Sequence, residues 1–289
     1  MATGTPGTRR LLAPSRDFRG LATWGASSMT GEQGHRGAPT PNRIIDHLAA
    51  TIHPQPLYAT AIGGTHSTHN RVQVGVDKPR VTFHGGVSSG KRTRCSVGHP
   101  MTPWGWFRCP GTINGVSGVL KADGKHFYWE PKNGAPTKNG TFVSAHQRII
   151  ADKRHLVWSG KNNISSRGGQ TVIDDVRAIV NTLGGAKRVI VLGQWITPRD
   201  DSTKKKATKK VNDAQRAQFA HNFLDVQELL TTSWGLGSPP VVPFGIRPVA
   251  RTSAVPAKLV APDGIHLNGW GNRVVTWALI ARMQELRWL

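Results

Sequence analysis

Two short segments at opposite ends of this 289-residue chain carry residue types suited to chemistry on a carbonyl. In Thr23-Trp24-Gly25-Ala26-Ser27-Ser28-Met29-Thr30-Gly31 a small-residue turn follows an apolar stretch and presents a serine, which is how a nucleophile is lifted off the end of a strand. In Asp263-Gly264-Ile265-His266-Leu267-Asn268 an Asp stands three residues before a His, on the last loop before a C-terminal helix. One such loop can supply both a general base and the carboxylate that orients it. Ser27, His266 and Asp263 are thus candidates for nucleophile, base and orienter. Glycine-flanked serines are common, so the weight falls on what lies between.

Acyl transfer also needs donors aimed at the developing oxyanion. The backbone N–H groups of Ser27 and Gly64 and the side-chain amide of Asn162 suit that role. Glycine is apt there because its backbone can approach a substrate with no Cβ in the way. The plainer role for Asn162 is to cap the turn after a strand.

These residues need a scaffold. Leu21 to Trp24 reads as a buried strand, Pro41 to Ile52 has apolar residues at helical spacing, and Leu57 to Ile62 is a second short apolar run. His155 to Gly160 reads as another strand. Val172, Ile173, Val176, Ile179, Val180 and Leu183 share one helical face, and Arg188 to Gly193 follows as a strong buried strand. That order implies a right-handed parallel crossover. A Lys-rich loop, a helix over Val211 to Phe219, a strand near Asn222 to Val226 and a closing helix from Gly271 to Trp288 complete the reading. Between them, residues 71–147 show short alternating pieces such as Val72-Gln73-Val74-Gly75-Val76 and Arg80-Val81-Thr82-Phe83, with no convincing helix. The expected architecture is a doubly wound, mostly parallel α/β sheet formed by residues 21–70 and 148–289. It is interrupted by a small β-rich insert over 71–147 and preceded by an N-terminal extension, residues 1–20.

In open sheets of this kind reactive groups gather at the C-terminal ends of strands, where Ser27, Gly64, Asn162 and the Asp263–His266 loop all fall. At this point the sequence resembles the SGNH (GDSL-type) hydrolases. Gly25-Ala26-Ser27 matches the first block, Ala61-Ile62-Gly63-Gly64-Thr65-His66-Ser67 the glycine block, Gly160-Lys161-Asn162-Asn163 the third, and Asp263-Gly264-Ile265-His266 the last. The resemblance covers Leu21 to His69 and His155 to Leu289. Ala26 and Asn163 stand where the family usually has Asp. The wording Trp-Gly-Ala-Ser, Ile-Gly-Gly-Thr-His-Ser-Thr-His and Asp-Gly-Ile-His-Leu-Asn is similar to tail-associated SGNH proteins of phages infecting actinobacteria. The resemblance implies a three-layer, flavodoxin-like fold and a serine esterase that needs no metal or organic cofactor. With the basic surface it implies a carbohydrate ester, an O-acetyl group on an anionic cell-envelope glycan. The rivals are a lipid or lysophospholipid esterase and a non-catalytic envelope-binding tail protein on the same fold.

Lys and Arg number 38 against 16 acidic residues, a formal charge of +22, which favours a polyanionic partner. The densest run, Lys204 to Lys210, has no interleaved aromatics, so nucleic acid is the weaker choice. The insert, with aromatics Trp104, Trp106, Phe107, Tyr128 and Trp129, is expected to dock on such a polymer and to leave the chemistry to the α/β part. Those aromatics suit sugar stacking and a small core equally well. No run is apolar enough to span a bilayer and none has signal-peptide form, so an extracellular or virion-associated role would need release by lysis or in a particle. Cys95 and Cys109 leave a disulfide and two free buried thiols both open. A zinc site with His99 lacks the C-x-x-C pair, His66 and His69 lack a third ligand, and Gly85 to Lys91 lacks the following helix of a phosphate loop.

Overall fold

The computed structural model describes residues 18–52 and 56–289; most of the expected N-terminal extension lies outside the described residues. Five parallel strands make the main sheet: β1 (Leu21–Gly25), β2 (Leu57–Ala59), β9 (Arg154–Trp158), β10 (Val189–Leu192) and β11 (Phe223–Leu224), in the order β2-β1-β9-β10-β11. With the intervening strands skipped this is the flavodoxin-like order 2-1-3-4-5, whose switch point lies between β1 and β9.

Successive side chains on each strand enter opposite cores, as period-2 geometry requires. Leu21, Leu156, Ile190 and Leu192 face one way, against α1 (Ser27–Thr30), α2 (Ile44–Thr51), α7 (Val226–Thr231), α8 (Ser233–Leu236) and α9 (Gly269–Glu285). Ala22, Trp24, Val157 and Val191 face α3 (Ser67–Val74), α5 (Gln170–Thr182) and α6 (Ser202–Phe219). The chain is thus a doubly wound α/β sheet in three layers. Among the described residues no helix is long and apolar enough to cross a membrane.

Between β2 and β9 six antiparallel strands close a barrel in the order β3-β4-β7-β6-β5-β8: β3 (Arg80–Phe83), β4 (Thr93–Gly98), β5 (Arg108–Ile113), β6 (Val116–Ala122), β7 (Phe127–Pro131) and β8 (Gly140–Ser144). The short helix α4 (Gln147–Ile150) leads back to β9. Its core is Phe107, Ile113, Leu120, Trp129 and Phe142, with Cys95 and Cys109 among them as free thiols. Burial pushes both thiols up to about 12, so they stay protonated at neutral pH. Gly118 is opposite Gly111 on β5, and a methyl on Gly118 would stand 2.5 Å from the Trp129 ring, so the ring's seat requires a residue with no side chain.

Two readings of the sequence need correction. Val72-Gln73-Val74 is the end of α3, not a strand. Val72 enters the barrel core and Val74 the sheet core, so two separate burials imitate the alternation of one strand. The Lys204–Lys210 run is not a loop but the first half of α6, which begins where the Asp201 side chain accepts from Lys204 N–H. Lysine and alanine are good helix formers. Ala207, Val211, Gln215 and Phe219 form the buried face and leave most of the ammonium groups in water.

Candidate active site

β1 ends at Gly25, the chain turns at Ala26 in extended conformation, and Ser27 opens α1 at 7% exposure. As the first helical residue its N–H has no intrahelical acceptor, one of the orphan donors every helix start leaves. The glycine block after β2 is tied back to this turn. Ile62 N–H donates to Gly25 O, and the Thr65 hydroxyl lies 3.2 Å from the same oxygen and 2.8 Å from Ile62 O. Gly64 takes φ +75°, a left-handed value that favours glycine.

β9 ends at Trp158, and after Ser159 and Gly160 a turn holds Lys161, Asn162 and Asn163. The Lys161 ammonium anchors it, donating to Asp200 Oδ2 at 2.6 Å and to Trp195 O at 2.8 Å. Burial lowers the Lys161 pKa, and Asp200 opposes that shift. Asn162 Nδ2 donates to Thr65 O at 3.0 Å, which binds this turn to the glycine block and leaves the second amide hydrogen for another acceptor. Asn163, where the resembled family usually has Asp, reinforces the link. Its Oδ1 accepts from Ser67 N–H, and its Nδ2 donates to Ser67 Oγ, which in turn donates to the buried Asp175. An amide suits this place because one side chain must both accept and donate there.

The third component arrives on the loop before α9. Asp263 Oδ1 accepts from the N–H groups of Ile265 and His266 at 2.8 and 3.0 Å, and Oδ2 lies 2.6 Å from His266 Nδ1. Burial pushes the Asp263 carboxyl up, but the backbone N–H of His266, its ring and the N–H of Ile265 together hold it below the usual carboxylate value. An ionised Asp263 draws the imidazole hydrogen to Nδ1 and leaves Nε2 as the basic nitrogen. Asn268 fixes the loop's exit by accepting from Trp270 N–H and Gly271 N–H as the cap of α9.

The structure therefore ties the glycine block to Asn162 through Thr65, pairs Asp263 with His266, and sets Ser27 against the glycine block, its Cβ 3.9 Å from where a methyl on Gly63 would sit. No hydrogen bond joins Ser27 to His266 among the described residues. Such contacts commonly tighten only when substrate binds. Between them stands Glu32, whose N–H donates to Ser27 O. Its Oε2 is 4.0 Å from His266 Nε2 and 2.9 Å from where a methyl on Gly63 would be.

The sequence reading missed Glu32, and it did not connect the barrel to the glycine block, which the Thr102–Trp104 segment touches. Trp104, 50% exposed, stacks on His66 with centroids 6.1 Å apart, and its Nε1 lies 2.0 Å from where a methyl on Gly64 would sit. His69 Nε2–H donates to Thr102 O at 2.7 Å while its Nδ1 accepts from His66 N–H, so this histidine is a neutral strut. Burial pushes its pKa down to about 4. The aromatics divide accordingly: Phe107 and Trp129 are wholly buried, whereas Trp104 and Trp106 (77% exposed) face outward beside the glycine block or on the adjoining loop. Among the described residues no cluster of His, Cys, Asp and Glu is arranged to hold a metal ion.

A comparison with family models gives no match, and neither does one with curated proteins. Among solved structures, a lipase/acylhydrolase from Enterococcus faecalis is similar over 93% of this chain and 96% of its own, at TM-score 0.50 and 9% identity. TesA is similar over 92% and 98% at TM-score 0.45 and 12% identity. The psychrotrophic esterase EstA from Pseudoalteromonas sp., in a structure inhibited by monoethylphosphonate, is similar over 92% and 97% at TM-score 0.44 and 10% identity. At such identities the first of these likenesses speaks for the fold, and it is the fold of the three-layer sheet described above.

Proposed function

We propose that the protein is a serine esterase of SGNH type, acting on O-acetyl groups of a cell-envelope carbohydrate as a phage tail-associated enzyme. The observation that carries the esterase reading is the Asp263–His266 pair, 2.6 Å apart, with His266 Nε2 4.0 Å from Glu32, whose N–H donates to Ser27 O. Ser27 Oγ attacks the ester carbonyl and its proton passes to His266 Nε2, while Asp263 stabilises the imidazolium. The oxyanion is met by the N–H groups of Ser27 and Gly64 and the free amide hydrogen of Asn162. Collapse expels the alcohol with the proton from His266. Water, deprotonated by His266, then cleaves the acyl-enzyme.

The outward-facing Trp104 and Trp106 support a sugar as the alcohol part, because an indole face offers apolar area to a pyranose ring. The charge of +22 supports an anionic polymer around it. The tail-associated role rests on the wording of the sequence blocks. The test is hydrolysis of a chromogenic acetyl ester together with labelling by a fluorophosphonate probe. Ser27→Ala should abolish labelling and lower turnover by roughly 10⁴. Wild-type turnover in that variant would refute the assignment.

A further inference from the structure

A cleft of about 1050 Å³ runs between the barrel and the C-terminal edge of the sheet and reaches Asn162. Its core wall carries Arg71, Asn163 and Arg167, and its barrel wall Lys78, Arg80 and His99. The two carboxylates on this lining are already committed. Arg71 grips Asp77 with two hydrogen bonds and reaches Asp175 at 3.3 Å, and His99 Nε2 lies 2.8 Å from Asp77. Asp175 also accepts from Ser67. Lys78, Arg80 and Arg167 remain, all exposed and with no carboxylate partner among the described residues. Arg167 holds a left-handed backbone, φ 48° and ψ 40°, which costs a residue with a side chain free energy and sets its direction at the rim.

We propose that this cleft binds the anionic backbone of the substrate polymer, with carboxylates or phosphates on units beyond the ester meeting Lys78, Arg80 and Arg167. The proposal deepens the esterase reading and rests on it only for which end of the cleft the ester occupies. With no carboxylate partner among the described residues these cations are free to meet anionic groups from outside, and the hydroxyls of Thr68, Thr102 and Ser165 on the same lining suit a polar chain. An acylated polyanion is favoured over nucleic acid because a candidate oxyanion donor, Asn162, lines the cleft, and nucleic acid brings no carboxylic ester to it.

The experiment separates binding from turnover. Wild-type protein is titrated with a short oligogalacturonate, a short poly(glycerol phosphate), a neutral chito-oligosaccharide and a single-stranded oligonucleotide. One or both non-nucleotide anions should bind, with affinity falling as salt rises from about 50 to about 300 mM. Preference between those two identifies carboxylate or phosphate as the charge read. The triple variant K78A/R80A/R167A should weaken that binding roughly tenfold, the yield of three exposed ion pairs. Its turnover of a small neutral acetyl ester should be unchanged. The control K205A/K206A/K210A removes the same charge from α6 and should bind as wild type does. Equal losses in the two triple variants, no loss in the first, or tighter binding of the neutral sugar or the oligonucleotide would overturn the proposal. Binding that behaves as expected in a protein with no esterase activity would sink the esterase reading and leave the cleft standing.

Discussion

Gly64→Ala is expected to report on whether the barrel forms one wall of the candidate active site. The new methyl would have to occupy φ +75° and a point 2.0 Å from Trp104 Nε1. The left-handed conformation costs a residue with a Cβ about 1–2 kcal/mol. The indole is half exposed and can swing away, but it then leaves His66, a ring contact worth about 0.5–1.5 kcal/mol. The sum is about 1.5–3.5 kcal/mol, or a fall in Tm of roughly 3–14 °C for a chain of this size. Removing the indole first by Trp104→Ala should leave only the backbone cost, so the double-mutant cycle should show a coupling of about 1 kcal/mol. Thermal melts of the four proteins give the coupling, and kcat on a small acetyl ester gives the consequence. Displacing the Gly64 N–H should lower kcat about 10²-fold, with part recovered when Trp104 is also removed. Additive melts would mean that Trp104 does not press on the glycine block. Wild-type kcat in Gly64→Ala would mean that this N–H is not an oxyanion donor.

Asn162→Ala should lower kcat by about 10²–10³ with little change in KM, since the amide is needed mainly in the transition state; a change confined to KM would indicate substrate positioning instead. Asp263→Asn should cut kcat/KM by roughly 10⁴, through the wrong imidazole tautomer. It should also remove a pH-dependent share of stability. A carboxyl held below its ordinary value stabilises the fold above the unfolded pKa near 4 and loses that contribution as pH falls through the folded value, so the Tm gap between wild type and variant should close below about pH 4. A gap constant from pH 7 to pH 3 would contradict this. Replacing the barrel by a short Gly/Ser bridge should reduce small-ester turnover even where the sheet still folds, because Thr102 and Trp104 support His69 and His66; full activity would return the barrel to a purely peripheral role.

The α/β part was legible because its signals are local. Buried parallel strands such as Val189–Leu192 are continuous apolar runs, and α5 repeats its apolar residues at helical spacing. Asp263 and His266 are three residues apart and bond within one loop, so spacing alone suffices to suggest the pair. The parts that were not legible depend on distant partners. Val72 and Val74 imitate a strand because two different cores claim them. No sequence pattern connects Trp104 to Gly64, forty residues earlier, because the contact exists only once the barrel has closed. Glu32 was within reach of local reasoning: five residues after Ser27, it lies on the turn that α1 must make at Gly31, whose φ of +67° directs the chain back toward the site.

Glu32 also bears on which ester the site would accept. The chain is strongly basic overall, yet its charged neighbour at His266 Nε2 is a carboxylate 4.0 Å away. In water two unit charges about 4 Å apart interact by about 1 kcal/mol, so a substrate carboxylate brought that close to Glu32 would meet roughly a fivefold penalty. The cations of the barrel cleft act in the opposite sense, on a lining that includes neither Glu32 nor His266. A substrate with its negative charge beside the ester would be repelled where it reacts, and one with no charge would gain nothing from the cleft. A neutral acyl group on a sugar hydroxyl, with carboxylates or phosphates carried by neighbouring units, satisfies both fields at once. If the cleft is the approach we propose, the two charge patterns, negative at the base and positive along the cleft, would favour an ester inside a polyanion over a small acidic ester. They do so without any contribution from the net charge itself.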